Sequence, residues 1–545
     1  MNIPTRRVQR TRSNRCRFIW LSAALLLGAI SPWAVAAPIA GTVYLDANNN
    51  RLLDQGESGI AGVLVSNGSD IVETDASGRY QLEVADDDAM VYVLKPRDYQ
   101  LSRDHQGRPR YWYQHDPDGA PARRYAASPA TGQTAGDINF PLRSGADLLP
   151  VKVALVADPQ VNDEQEVDYY QRDVLSGLQR QADLRLAFVL GDIVNDRLDL
   201  YPQINQAQSE IAIPWFNILG NHDQNLDALD DAGSDDTYQA YFGPTTYALQ
   251  YANVHFIYFD DVIYWRDQRG QARYRGGLRD DQFEFIANYL QHVPGEHWVV
   301  LLMHIPLADA RRDHRLPATD LQRLGELLSG HPHNFSISGH THTQQHVYLD
   351  AADGWPDGAH YHYTMGAACG SFWSGPLDRR GIPDATMTDG TPNGYAILEF
   401  TDDGHYRIDY QVAGETNNPH LRLIGPGSVV RNSYPNAYLY ANVFNATPND
   451  VVEYRLDQGQ WQPMQRSDEA DPYVLMQNFA DLTSSQPPSN ERLSPASPST
   501  HLWKARIDTH INAGAHQLEV RAIDQFDRTM TERTSFQVYD LEPEH

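Results

Sequence analysis

The sequence predicts a multi-domain protein in which a central α/β layered domain lies between two small β-sandwich modules. Three observations predict it. The chain has 545 residues, several times the ~150 of a typical domain. Short alternating apolar runs mark both ends of the chain, while continuous apolar runs interleaved with amphipathic helices mark its middle. Its 41% hydrophobic and 21% charged residues, with 38 Gly and 33 Pro, exclude collagen, a coiled coil and a wholly disordered chain.

Residues 1–36 have the order of an export signal. Arg6, Arg7, Arg10, Arg12, Arg15 and Arg17 form a basic start, residues 18–30 are apolar, and Ala34-Val35-Ala36 supplies small residues for cleavage. The apolar run is shorter than the ~20 residues of a spanning helix, so no transmembrane segment is expected after cleavage. The expectation is an exported protein, periplasmic or secreted. Cys16 would leave with the signal, so Cys369 has no intramolecular partner and the mature protein folds without disulfides.

Residues 37–147 read as the first β-sandwich, from runs such as 41–45, 62–65 and 80–84 separated by Asn, Asp and Gly turns. Within it Asp46, Asn48, Asn50, Asp54 and Glu57 fall at positions 1, 3, 5, 9 and 12 of a calcium-loop spacing. Arg51 stands at position 6, where an EF-hand needs Gly. Two readings stay open, a calcium loop in a β domain and an Asn-rich hairpin turn.

Residues 148–415 form the α/β domain. Apolar runs at 151–157, 186–190, 215–219 and 298–303 read as buried strands. Residues 168–182, with Tyr170, Val174, Leu178 and Ala182 in register, and 280–292, with Phe283, Ile286 and Leu290, read as helices. Residues 416–545 return to period two at 438–444, 451–456, 502–507 and 516–522 and read as a second β-sandwich. The Ser- and Pro-rich stretch 483–500 reads as a mobile surface loop.

Acidic residues outnumber basic ones by 71 to 43, a net charge of −28 that becomes −34 without the six signal arginines. That balance argues against constitutive binding to nucleic acid or an anionic membrane. An anionic substrate would need cations at the mouth of its site, and Arg311, Arg312 and His314 are the candidates. The other reading, solvated loop charges, is the favoured one.

The chemistry-bearing residues sit just after the central strands, where open α/β sheets place their sites. Asp158 and Gln160 follow the first, Asp192 the second, Asn221-His222-Asp223 the third, His304 the fourth, and His340 and His342 a fifth. Glycines beside three of these positions allow a sharp turn. Oxygens mixed with imidazoles suit Zn, Mn or Fe better than Mg alone. Seven such groups exceed one tetrahedral ion and match two divalent or trivalent ions sharing a carboxylate.

In this order, over residues 154–342, the blocks resemble the calcineurin-like metallophosphoesterase superfamily. The resemblance implies a four-layer α/β/β/α core, with Asp158, Gln160 and His342 on one ion, Asn221, His304 and His340 on the other, and Asp192 bridging. It implies hydrolysis of phosphate mono- or diesters by in-line attack of a metal-bridging hydroxide, with His222 as proton donor. Gln160 stands where many members have His. Asn195 stands where the phosphatase branch often has an acid that orients the histidine, which leaves Asp223 or Asp196 for that role. The flanking modules, Gly370-Ser371-Phe372-Trp373 and the stretch 389–395 resemble an exported bacterial subgroup, and make Ser371, Trp373 and Asn393 candidate substrate residues. Phe372 and Trp373 suit stacking on a base, covering an acyl chain, or core packing.

Cys369 reads as a small buried residue rather than a nucleophile, and His360 and His362 as a polar strand face or part of the pocket. The alternative to a hydrolase is a surface protein whose β modules contact envelope or glycan, with the metal core only a scaffold.

Overall fold

The computed structural model describes residues 38–84, 89–132, 136–311, 315–356, 358–432, 437–486 and 488–540. The export signal, Arg312 and His314 lie outside them.

Two sheets face each other in the central domain. The first has the order Trp215–Asn217, Leu184–Val189, Val151–Val156, Gly394–Phe400, Tyr406–Val412. Its first three strands run parallel and the last two antiparallel. The second has the order Tyr247–Tyr251, Val254–Tyr258, Trp298–Leu302, Asn334–Ser338, His360–Thr364, Gln345–Leu349, with a parallel centre and antiparallel edges. Strands buried on both faces explain why Val151–Val156 and Trp298–Leu302 read as unbroken apolar runs. Phe188 and Phe256 meet between the sheets at 5.2 Å.

Helices cover the outer faces. The helix expected at 168–182 begins earlier, because Asp163 caps it by accepting from the amides of Gln165 and Glu166. It runs through a π turn at Gln171–Leu175 to Gln179, so Ala182 lies beyond its end and is exposed. The helix expected at 280–292 is Asp280–Leu290, with Phe283, Ile286 and Leu290 buried as predicted.

The first sandwich pairs a sheet of Arg79–Glu83, Pro38–Leu45, Phe140–Ser144 and Tyr99–Leu101 with one of Ile71–Glu73, Leu64–Ser66, Ala89–Val93 and Trp112–His115. One pair, Pro38–Leu45 with Phe140–Ser144, is parallel. Its apolar core is continuous with that of the central domain. Tyr247 joins them, its hydroxyl donating to the Val93 carbonyl while Tyr111 packs on its ring at 4.4 Å.

The second sandwich has its own core, built around Leu439, Trp503, Leu518 and Phe536. All four strands read from its sequence are present, together with an unforeseen strand Thr529–Tyr539 and helix Pro472–Thr483. The stretch expected to be a free loop is instead laid along the catalytic domain. Asn490 donates to the Trp373 carbonyl, the Gly375 amide to the Glu491 carbonyl, and the Ser497 amide to the Thr388 carbonyl. Leu493 is buried beneath it.

Candidate metal centre

Five of the seven expected ligands leave their strands through left-handed backbone: Asp158, Gln160, Asp192, His340 and His342 have φ between 41° and 74°. Such conformations are uncommon for non-glycine residues and cluster at functional sites. Gly191 shares the conformation, at φ +86°, whereas Gly220 and Gly339 do not. Those two matter through close approach: a Cβ on Gly220 would stand 2.3 Å from Asp192 Oδ1, and one on Gly339 2.5 Å from Asp158 Oδ2. Turning was therefore the reason for one of the three glycines only.

The loops bring all seven side chains into one network. Gln160 Nε2 donates to Asp192 Oδ2 at 3.2 Å. Asp192 Oδ1 accepts from the His222 amide at 2.9 Å and lies 3.3 Å from His304 Nε2. His304 Nε2 is 3.0 Å from Asn221 Oδ1 and 3.2 Å from His340 Nδ1. Asp158 accepts from the His340 amide at 3.0 Å and faces His342 Nε2 at 3.8 Å.

This donor set fits cations. His304 Nδ1 is 2.9 Å from the Leu190 carbonyl and His342 Nδ1 is 2.7 Å from the Gly370 carbonyl. A carbonyl only accepts, so each Nδ1 carries a proton and each Nε2 faces the centre; on His342 it presents a lone pair, while on His304 it would have to give up a proton to act as a ligand. Asp192, His304 and His340 hold ligand atoms within 4.8 Å of one another. Asp158 and Asp192 are buried, and no Lys or Arg among the described residues bonds to either. Burial and then the neighbouring Asp192 charge push the Asp158 carboxyl up to about 8, although His304 opposes the shift.

His222 stands apart from this ligand cluster, its side chain 31% exposed. Its Nδ1 bonds Asp196 Oδ1 at 2.9 Å, and the Asp196 amide bonds back to the His222 carbonyl. The catalytic role expected of Asp223 is therefore corrected. Asp223 is buried and accepts from the amides of Ile193, Val194 and Gly220 and from the Tyr201 hydroxyl, so it ties two ligand loops together.

The candidate substrate residues fare differently. Trp373 is buried, donating from Nε1 to the Pro159 carbonyl and packing on Tyr169. Its neighbour Phe372 is the exposed ring, stacked on His342 at 4.4 Å, and Tyr274 lies edge-on to His340 at 6.1 Å. Ser371 is buried and accepts from the Ser494 amide, while Asn393 is buried and donates to Asp173 and to the Ala368 carbonyl. Both are structural. Arg311 donates to the Pro498 carbonyl and lines a cavity with Thr341 and Thr343 of the His340–His342 loop. His360 and His362 share Ser336 in a buried polar cluster away from the ligands. Cys369 is buried, with Sγ 3.7 Å from His342 Nδ1 and its thiol pushed up by burial. In the first sandwich Asp46, Asn48, Asn50, Asp54 and Glu57 gather in one loop and bond one another's backbone and side-chain N–H groups.

Two supporting acids were not foreseen. Asp261, just past strand Val254–Tyr258, accepts from the amides of His304 and Ile305, while its buried Oδ2 has no hydrogen-bond partner. Asp389 accepts from the Gln344 amide, two residues after His342, and from His501 Nε2 at 3.1 Å. His501 Nδ1 in turn bonds Asn442 Oδ1, which links the second sandwich to the His340–His342 loop. Adjacent acids at a strand end were the available signal for Asp261. Asp389 lay in the singled-out stretch 389–395, but nothing local to it names partners 45 and 112 residues away.

Fold and centre together define a metal-dependent phosphoric ester hydrolase. Family models match the chain in sequence order: the N terminal of calcineurin-like phosphoesterase over residues 46–126, the calcineurin-like phosphoesterase itself over 151–344, and its C terminal over 362–530. The chain belongs to that family. Among solved structures it is similar to a purple acid phosphatase from yellow lupin seeds, at 14% identity over 69% of this chain and 67% of that one, with TM-score 0.36. It also matches an Escherichia coli alpha-2-macroglobulin at 12% identity over 36% and 20% of the two chains, with TM-score 0.13. At such scores neither likeness adds to the reading of the site. None of the curated proteins compared with the chain matches it.

Asp389→Ala should loosen the loop that carries His342. The expected result is a 10- to 100-fold loss of metal affinity, roughly that of removing an outer support, read by chelator titration. An unchanged titration would make Asp389 a purely interdomain contact.

Proposed function

We propose that the protein is an exported phosphoesterase that hydrolyses phosphate mono- or diesters in line, with His222 protonating the departing oxygen. The carrying observation is the contrast between sealed and open groups: Asp158, Asp192 and His304 are buried, while His222 reaches solvent beside them. Asp158, Gln160, Asp192 and His342 would hold one ion and Asp192, Asn221, His304 and His340 a second, with Mn, Fe or Zn as candidates. Such ions supply a nucleophilic water at neutral pH and neutralise charge on the phosphoryl oxygens.

The chain's own groups do the rest. Burial lowers the His222 pKa, but Asp192 and Asp196 outweigh it and raise it to about 9. Asp196 on Nδ1 favours the protonated imidazole. With Nδ1 held by Asp196, Nε2 is the nitrogen left to donate to a leaving alkoxide. Phe372 and Tyr274 wall the cleft beside His342 and His340. The basic, apolar and small-residue order of residues 1–36 supports export to the periplasm or medium.

Turnover of bis-p-nitrophenyl phosphate and p-nitrophenyl phosphate by the metal-loaded protein tests the reading. Hydrolysis of either, abolished by chelation, is expected. Failure on both and on a wider panel of phosphoesters would overturn it.

Gln160 gives a separate prediction. A neutral amide binds late transition metals more weakly than imidazole, so the ion at Asp158 and His342 should be lost first. Gln160→His should hold it more tightly, by about tenfold or more in a chelator titration. Equal retention by both proteins would count against Gln160 as a ligand.

Stability of the metal-free protein should fall as pH rises from about 7 to 9. Burial raises the Asp261 carboxyl to about 8. Burial lowers His304, but Asp192, Asp158 and Asp261 outweigh it and raise it to about 10. These folded-state values exceed the unfolded ones, so the folded protein keeps protons the unfolded chain has released, and stability drains away as pH climbs through them. Bound metal would take the place of the His304 proton and should reduce the decline. Melting temperatures of chelated and loaded protein at pH 7 and 9 check this.

A further inference from the structure

At the edge of the first sheet remote from the ligand loops, the N-terminal module and the catalytic domain enclose a cavity of about 210 Å³. Strand Leu184–Val189 enters it by its amino end and delivers Asp192 at the other. The cavity therefore lies a strand's length, on the order of 20 Å, from the metal centre.

Arg103, Arg143 and Arg185 all line it, and none has a carboxylate partner among the described residues. Some arginines elsewhere are paired, as Arg108 is with Asp104, Arg123 with Asp236 and Arg279 with Asp260. The acid in the lining, Asp147, is already committed: it accepts from Lys95 Nζ at 2.7 Å and from the Asp98 amide at 2.9 Å. Lys95 also donates to the Pro96 and Gln250 carbonyls, so that pair is satisfied and neutral as a whole. Between the arginines the lining is apolar, with Leu101, Leu186 and Phe216 buried beneath.

Arg103 and Arg185 are exposed and Arg143 is half-buried, and each guanidinium offers a fork that matches an oxyanion. An apolar floor suits the body that such a head is carried on. We infer that this cavity binds a small organic anion, a phosphate or carboxylate group on an apolar body. The site is separate from the metal centre and stands whether or not the proposed reaction is correct.

Calorimetric titration of the full chain, metals in place, with phenylphosphonate and with benzoate tests it. Neither compound is a phosphoester, so neither is turned over. Wild type should bind one equivalent more than the double variant Arg143→Gln/Arg185→Gln, with Kd of about 1 mM or tighter. The single variant Arg103→Gln should weaken that equivalent about tenfold. Preference for phenylphosphonate or for benzoate tells phosphate from carboxylate as the head. Anion held at the metal centre persists in every variant and is counted apart. Equal stoichiometry and affinity in wild type and double variant, at matched melting temperatures, would overturn the assignment.

Discussion

Asp192→Asn should abolish turnover more completely than loss of any single terminal ligand. A terminal ligand such as His342 serves one ion, whereas Asp192 receives Gln160 on one oxygen and the His222 amide and His304 on the other. An amide has one oxygen to offer and no charge, so both ions and their separation would suffer together. The expected loss is on the order of 10³-fold or more, at or beyond the 10²–10³ that follows removal of one transition-state donor. Steady-state rates with bis-p-nitrophenyl phosphate, measured beside His304→Ala and His342→Ala, decide it. Equal losses in all three would remove Asp192 from its shared position.

The second large effect concerns His222. His222→Ala should cut turnover by about 10²–10⁴ for an alkyl leaving group that needs a proton, and by much less for p-nitrophenol, which leaves as the anion. Metal content should stay that of wild type, because the side chain stands outside the ligand cluster. Asp196→Asn should give a smaller loss with the same dependence on leaving group, since it disturbs only the held tautomer. Metal loss from the His222 variant would make it a ligand instead of a donor.

Much of this centre was legible because its ligands follow strands that announce themselves as continuous apolar runs. Val151–Val156, Leu184–Val189 and Trp298–Leu302 end where the sequence places Asp158, Asp192 and His304. What lay off the strands was harder to read. Asp223 adjoins His222 in sequence, whereas Asp196 lies 26 residues away. A left-handed turn at Asp196, φ 59°, brings one back to the imidazole, while Asp223 folds under the loops. Phe372 and Trp373 are both left-handed, so no strand alternation tells which ring faces solvent, and the wrong one of the pair was expected in the pocket.

The helix Pro472–Thr483 had a local signal in Asp471-Pro472, an N-cap followed by proline at the first turn. Its outward Leu475, Phe479 and Leu482 obscure the pattern, because they put apolar residues on the face that a surface helix usually makes polar. The stretch that follows is held by backbone contacts to residues more than a hundred positions away, such as Trp373 and Thr388. Ser- and Pro-rich composition describes such a chain without saying what it lies against.

The central claim is that seven side chains at strand ends hold two ions around Asp192. Anomalous diffraction from crystals grown with Mn or Zn, with data collected at the metal edge, tests it most directly. Two peaks should appear, with Asp192 between them, Asp158, Gln160 and His342 around one, Asn221, His304 and His340 around the other, and His222 bonded to neither. A single peak, or a peak ligated by His222, would contradict the account.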